Sequence, residues 1–308
     1  MSKNIQIIIP ACNERDMLER TLRSIREQTY DKDRIHTVVV DFGSTDGTCE
    51  WLLSHEGYHV GVYKKVEQVQ RGSMIAEIAM LSPYLWPEGY GGFYTVLYPG
   101  EVLYSNALEI CMREYEEHCE ENPVIVLCEA DIEERDGSVH RQENMFAQSR
   151  MLMAGFDTWE YTCRGYHHQI ITLSPFLFAK ERRDGAEMNE QRWWNKCSML
   201  CGQHNTLYIS ARIGRVKRIQ YEDEVEELLL RWESVIAQIR GRKLDETFKD
   251  RSMDNLARYA LWRSSELYEK RGSDRAAEDC FLLSSLISPD IVEQEQYQNI
   301  QKLFDRME

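Results

Sequence analysis

The chain has 308 residues, 43% hydrophobic and 29% charged, an ordinary globular composition long enough for one α/β domain plus an extension. Its formal net charge of −15 argues against a nucleic-acid groove or an anionic membrane surface, since both need a basic face. No apolar run approaches the roughly 20 residues of a membrane span, and no signal-peptide pattern follows Met1. The nine cysteines are scattered, odd in number and mostly inside apolar segments, which reads as reduced thiols in the cytoplasm.

Residues 5–9 form a β-branched apolar run that ends at Pro10, the pattern of a buried strand. Asn13 and Glu14 open a helix in which Leu18, Leu22 and Ile25 fall at helical spacing, and residues 29–31 close it. Residues 37–40 are a second strand with Asp41 at its carboxyl end, and residues 43–48 (GSTDGT) turn the chain into a helix over 49–53. Strand, helix and strand at this spacing make a βαβ unit with parallel strands. Strands are expected at 58–63, 93–97 and 123–128, and helices at 73–81, after Arg71-Gly72, and at 106–119. Residues 131–137 (DIEERDG) read as an acidic turn, 170–178 as a strand leading to a short helix, and 205–209 and 213–218 as two late strands. Beyond Tyr221 the composition changes. Residues 222–240 read as an amphipathic helix with an acidic start, and 252–271 and 273–285 as a helical pair around Gly272. Ala260, Leu267, Tyr268, Gly272, Ala276, Ala277, Phe281 and Pro289 resemble one tetratricopeptide-type hairpin. One repeat cannot bury its own face, so a homodimer or a protein partner through the C-terminal helices is expected. The expected division is 1–221, an α/β domain, and 222–308, a helical extension.

A parallel sheet binds its ligands outside the carboxyl ends of the strands. Three such ends are legible: residues 10–14, 41–48 and 98–101. Asn13 and Glu14 are suited to accepting from a ligand hydroxyl or to capping the first helix, and Asp41 to accepting from a ligand N–H or capping a turn. Cationic Arg71, Arg215, Lys217 and Arg218 are candidates for holding an anionic ligand, against the plainer reading of a solvated face. Trp193 and Trp194 suit either a sugar-stacking platform or a helix core. Cys197, Cys201 and His204, with Cys163, His167 and His168, match no common structural zinc spacing and read as buried side chains. No phosphate-binding P-loop, dinucleotide fingerprint or nucleophile elbow is present.

The blocks PACNE (10–14), QTY (28–30) and VVVDFGSTDGT (38–48) resemble the amino-terminal half of the family 2 glycosyltransferases. That resemblance implies a GT-A fold, a mixed and mostly parallel α/β sheet flanked by helices, followed here by the C-terminal helical extension. It implies a nucleotide-sugar donor, a glycan or protein acceptor, and an inverting displacement assisted by a carboxylate base. On these residues it implies nucleotide contacts from Pro10, Ala11, Asn13, Glu14, Asp41, Arg71 and Gly72. The chain departs from the family at three positions. Phe42 stands where a second carboxylate is usual. The D-x-D loop that holds Mg²⁺ or Mn²⁺ is replaced by Tyr98, Pro99, Gly100 and Glu101, leaving Glu101 as the one metal candidate and a divalent cation in doubt. Tyr98, Glu101, Arg215 and Lys217 are the candidates for the donor diphosphate. Met188 stands where the base is usual, so Glu187 and Glu190 become the catalytic candidates, with Trp193 and Trp194 for the acceptor. Two readings result: a cytoplasmic nucleotide-sugar transferase, or a non-catalytic GT-A domain acting as a binding or scaffolding partner in glycan assembly.

Overall fold

The computed structural model describes residues 3–54, 60–65, 92–134, 136–141, 144–155, 158, 169–172, 204–217, 246–272 and 274–305. Its strands are β1 (Asn4–Ala11), β2 (Ile35–Phe42), β3 (Val60–Lys65), β4 (Gly92–Val96), β5 (Val102–Leu103), β6 (Ile125–Glu133), β7 (Val139–His140), β8 (Arg150–Leu152), β9 (Gln169–Thr172) and β10 (Thr206–Lys217). Its α-helices, among the described residues, are α1 (Arg15–Arg26), α2 (Thr48–Ser54), α3 (Ala107–Glu117), α4 (Glu246–Arg271), α5 (Arg275–Ile287) and α6 (Glu295–Asp305). Contacts divide the chain into two compact units, Met1–Ile219 and Gln220–Glu308.

In the first unit the strands form one sheet in the order β3-β2-β1-β4-β9-β6-β10-β5, with β7 beside β6 and β8 beside β10. The β1–β2, β1–β4, β2–β3 and β6–β10 pairings are parallel, while β9 runs antiparallel between β4 and β6. The carboxyl ends of β1, β2, β4, β6 and β10 therefore lie along one edge. β1 is central, and every residue after Asn4 in it is buried, as a strand covered on both faces requires. Alternate side chains serve the two faces. Ile5, Ile7, Ile9 and Ala11 join Leu18, Leu22 and Ile25 of α1 and Leu108, Cys111 and Met112 of α3 in the main core. Ile8, Val40 and Phe42 form a separate cluster. Phe93 meets Tyr115 edge to face with ring centroids 4.6 Å apart, fixing α3 against β4.

Several expectations are corrected. β1 runs one residue past Pro10. The β1–β4 ladder already ends at Ile8 and Val96, so the missing proline N–H costs no bond on that side. Residues 131–133 are not a turn but the end of β6, and their acids are paired across the sheet as described below. The two late strands are one, β10, whose register against β6 shifts between Ile209 and Arg212 and again between Arg212 and Arg215. Such irregularities bend a strand without ending it. The expected helices over 73–81 and 222–240, and the residues after Thr172 in the 170–178 segment, lie outside the described residues.

The second unit has its own core of Leu256, Ala257, Ala260, Leu261, Leu267, Ala277, Cys280, Phe281, Ile287, Ile291, Tyr297 and Ile300. Asp274 caps α5 by accepting the Ala277 N–H at 2.9 Å. Ser264 donates to the Ala277 carbonyl at 2.7 Å, tying α4 to α5. Phe281 stacks on Tyr297 with centroids 4.4 Å apart, so α6 closes over the helical pair. Trp262, Leu282, Leu286 and Val292 are exposed. No helix among the described residues is long and apolar enough to cross a membrane.

Candidate functional site

The carboxyl edge begins with two loops clamped to each other. After β1 the chain reverses through Asn13, which adopts a left-handed φ of +56°, a conformation asparagine tolerates better than most residues. The Asn13 side chain accepts from the Thr45 N–H at 2.7 Å, and the Asn13 N–H donates to the Ser44 hydroxyl at 2.9 Å. Asp46 accepts from the Thr48 N–H at 3.0 Å, from the Thr48 hydroxyl at 2.5 Å and from the Arg15 N–H at 3.4 Å. Burial works against the ionised Asp46, but these bonds outweigh it and hold its carboxyl below the ordinary range. Arg15 in turn lies over the Trp51 ring, 6.0 Å from its centroid. The loops after β1 and β2 thus form one frame. Asn13 is a clamp between them, and Glu14, in the N-cap position of α1, makes no side-chain cap bond.

Inside the frame stands Asp41. It is paired in register with Ala11, is fully buried, and neither carboxylate oxygen has a hydrogen-bond partner among the described residues. Burying a carboxylate without partners is costly, of the order of several kcal/mol. A buried acceptor of this kind at the ligand-binding edge is suited to N–H donors brought by a ligand. Its neighbour Phe42 points to the other face, where it packs with Ile8 and Val40. Cys12 lies between the loops, with its thiol 3.4 Å from the Phe42 carbonyl. Burial, then the charges of Asp41, Glu14 and Asp46, push the Cys12 thiol pKa up.

The loop after β4 is fastened to α1. The Gly100 N–H donates to Met17 O at 3.0 Å and to the Thr21 hydroxyl at 2.8 Å, and that hydroxyl lies 2.8 Å from Glu101 O. Glu101 is buried, and its Oε2 accepts the Tyr98 N–H at 2.9 Å, closing the turn from within. Tyr98 is also buried. A hard divalent cation needs several oxygen ligands, most of them charged or strongly polar. Here position 98 offers a phenol, position 100 no side chain, and position 101 a carboxylate already engaged by the turn. This donor set does not fit Mg²⁺ or Mn²⁺, and no cluster of three or more metal-ligating side chains occurs among the described residues.

The same edge carries a ladder of acids that the sequence reading missed. Glu129, Asp131 and Glu133 alternate along β6. Glu129 accepts from the Tyr208 hydroxyl at 2.5 Å and from the Met145 N–H at 2.8 Å. Burial, then the bond to Glu129, push the Tyr208 pKa far up, so the phenol stays protonated and the carboxylate is the acceptor. Asp131 accepts from Tyr104 and lies 3.4 Å from Arg212 and 3.6 Å from Arg141. Glu133 is gripped by both terminal nitrogens of Arg20 at 2.5 Å, with Arg215 at 3.8 Å. The signal for this ladder was present: acids at every second position continuing an apolar run are a strand face, not a turn.

Of the other sequence candidates, Pro10 and Ala11 are buried in β1, and Arg215 and Lys217 lie at the carboxyl end of β10. Arg71, Gly72, Glu187, Glu190, Trp193 and Trp194 lie outside the described residues, as do Arg218 and all the zinc candidates except His204.

Comparison with known proteins agrees with this frame. Residues 6–75 match the Glycosyl transferase family 2 model. Glycosyltransferase AglE of Haloferax volcanii is 33% identical over 72 residues, a match that covers 23% of this chain and 24% of that protein. The structure of S. aureus TarS 1–349 in complex with UDP superposes with a TM-score of 0.65 at 13% identity, covering 99% of this chain and 92% of that one. The complex of the same protein with UDP-GlcNAc gives 0.63 at 12% identity, with the same coverage. At these identities the likeness to TarS is one of fold.

Proposed function

We propose, for a chain whose residues 6–75 are those of a family 2 glycosyltransferase and whose sheet is of GT-A type, that it binds a nucleotide sugar and transfers the sugar to a glycan or protein acceptor. The observation that carries the reading is the buried carboxylate of Asp41, unpartnered among the described residues at the carboxyl edge of the sheet. Uracil, guanine and cytosine all present N–H donors that would satisfy it. The clamped loops 11–15 and 43–48 would then hold the ribose side of the nucleotide, and the basic end of β10 the diphosphate.

The reaction proposed is a direct displacement. The acceptor hydroxyl oxygen bonds to the anomeric carbon, the bond to the diphosphate oxygen breaks, and the acceptor proton passes to a carboxylate. Glu187 and Glu190 remain the candidates for that base, and Trp193 and Trp194 for the acceptor platform. We place the protein in the cytoplasm, a reading that rests on its scattered, odd-numbered cysteines. A homodimer or a protein partner through the C-terminal helices belongs to the same proposal, supported by the exposed Trp262, Leu282 and Leu286.

The test is calorimetric titration with UDP, GDP and CDP. UDP comes first because it is the nucleotide bound to TarS. Micromolar binding of at least one is expected, and Asp41→Asn should weaken it about tenfold or more, because the amide loses the charge and turns one acceptor into a donor. No binding of any of the three would sink the reading. A second reading, donor binding without transfer, is favoured by one observation: Phe42 is committed to the Ile8 and Val40 cluster where the family has a second carboxylate. Release of nucleotide from a bound nucleotide sugar, with or without a glycan acceptor, would decide against it.

A further inference from the structure

We propose that Lys217 supplies the positive charge that a divalent cation supplies in a D-x-D loop, so that this chain holds the diphosphate of its nucleotide without metal. The proposal rests on the nucleotide-sugar reading above and adds how that site neutralises its ligand.

A Cβ added to Gly100 would lie 2.5 Å from Lys217 Cε and 2.6 Å from Lys217 Nζ. Gly100 also has φ +94°, a conformation that disfavours any side chain. The place where the last aspartate of a D-x-D would begin is therefore taken by a lysine ammonium. An aspartate at 100 would have to displace the end of the Lys217 side chain and adopt a backbone conformation that disfavours any side chain, so the glycine and the lysine go together.

Lys217 faces Glu133 in the β10–β6 register, and Glu133 is already held in two bonds by Arg20, with Arg215 at 3.8 Å. Arg20, Arg215 and Lys217 thus share Glu133, while Asp131 of the same ladder has Arg212 and Arg141 beside it. Lys217 Nζ itself contacts Met17 Sδ at 2.7 Å, and a thioether is a weak acceptor that neutralises nothing. Among the described residues no carboxylate lies within ion-pair distance of that ammonium. An ammonium has three donors, so two remain for phosphate oxygens. The position is also right. β10 runs parallel to β6, and its carboxyl end stands beside the loop after β4, on the edge that carries Asp41.

The experiment is titration of the whole chain with UDP, GDP and CDP, first in EDTA and then in excess Mn²⁺. It is repeated with Lys217→Met and Lys217→Arg, each checked by thermal melting. The nucleotide that binds is expected to do so with the same affinity in both buffers. Lys217→Met should weaken it about tenfold or more while leaving the corresponding nucleoside unchanged, and Lys217→Arg should keep most of the affinity. Binding that requires Mn²⁺ overturns the proposal, and so does a folded Lys217→Met that binds the diphosphate as well as the parent. Both results leave the nucleotide-sugar reading standing. The comparison of buffers needs no variant, so a poorly folded Lys217→Met does not rescue the idea. Failure of all three nucleotides to bind under either condition overturns both readings.

Discussion

At the scale of single residues, the loops after β1 and β2 concentrate acid around one thiol. Cys12 is half-buried, and burial together with Asp41, Glu14 and Asp46 raises its pKa. The reactive species is the thiolate, so its alkylation near neutral pH should be slow. Iodoacetamide followed by peptide mass spectrometry should find the exposed Cys119 modified well before Cys12, with the Cys12 rate rising as pH rises above 8. Bound nucleotide should slow Cys12 further, since its frame would be covered. Equal rates for the two thiols at pH 7.5 would contradict the electrostatic picture of the site. Asp41 could be picked out of the sequence because it ends an apolar strand where a carboxylate has no packing role. The clamping duty of Asn13 could not be, because its partner Thr45 sits on another loop.

At the scale of elements, the apolar runs that became β1, β2 and β4 were legible because strands covered on both faces are predominantly apolar. β6 and β10 were less so. The alternating acids of β6 have the composition of a turn but the spacing of a strand face; their partners, Tyr208 and Arg212 of β10 and Arg20 of α1, come from distant parts of the sequence. The adjacency of Lys217 and Gly100 has no local sequence signal at all, since it depends on how β10 bends through its register shifts. Glu133 tests this pairing. The bond from Arg20, then the charges of Arg20, Arg215 and Lys217, hold its carboxyl below the ordinary glutamate range against the opposing effect of burial. A carboxyl depressed in the folded state stabilises it fully above the unfolded pKa of about 4.3 and loses that stabilisation as pH falls through the folded value. Glu133→Gln should therefore cost about 1 kcal/mol at pH 7, the partly exposed Arg20 reducing it from the full value of a charge-assisted bond. The gap between variant and parent in urea unfolding should narrow below about pH 4. A gap that stays constant from pH 7 to pH 3 would mean that the charge of Glu133 contributes nothing to folding.

At the scale of the whole molecule, the described side chains of the candidate site all belong to the first unit, from Ala11 to Lys217, while the second unit builds its own core around Leu261, Phe281 and Tyr297. The change of composition beyond Tyr221 was visible in the sequence because helix-pair periodicity replaces short apolar runs. The particular residues left exposed there, Trp262 and Leu286, were not, although a lone hairpin is expected to keep one apolar face uncovered. If the nucleotide is held by the frame of loops, Asp41 and Lys217, a fragment of residues 1–219 contains the whole donor site. It also contains the main core, from Ile5 to Ile213, that positions those loops. Such a fragment is expected to melt cooperatively and to bind the nucleotide that the whole chain binds, within about threefold in affinity, a difference below 1 kcal/mol. Titration of the fragment beside the whole chain checks this. A folded fragment that has lost the nucleotide would show that the donor site draws on residues after 219, and the frame described here would be only part of it.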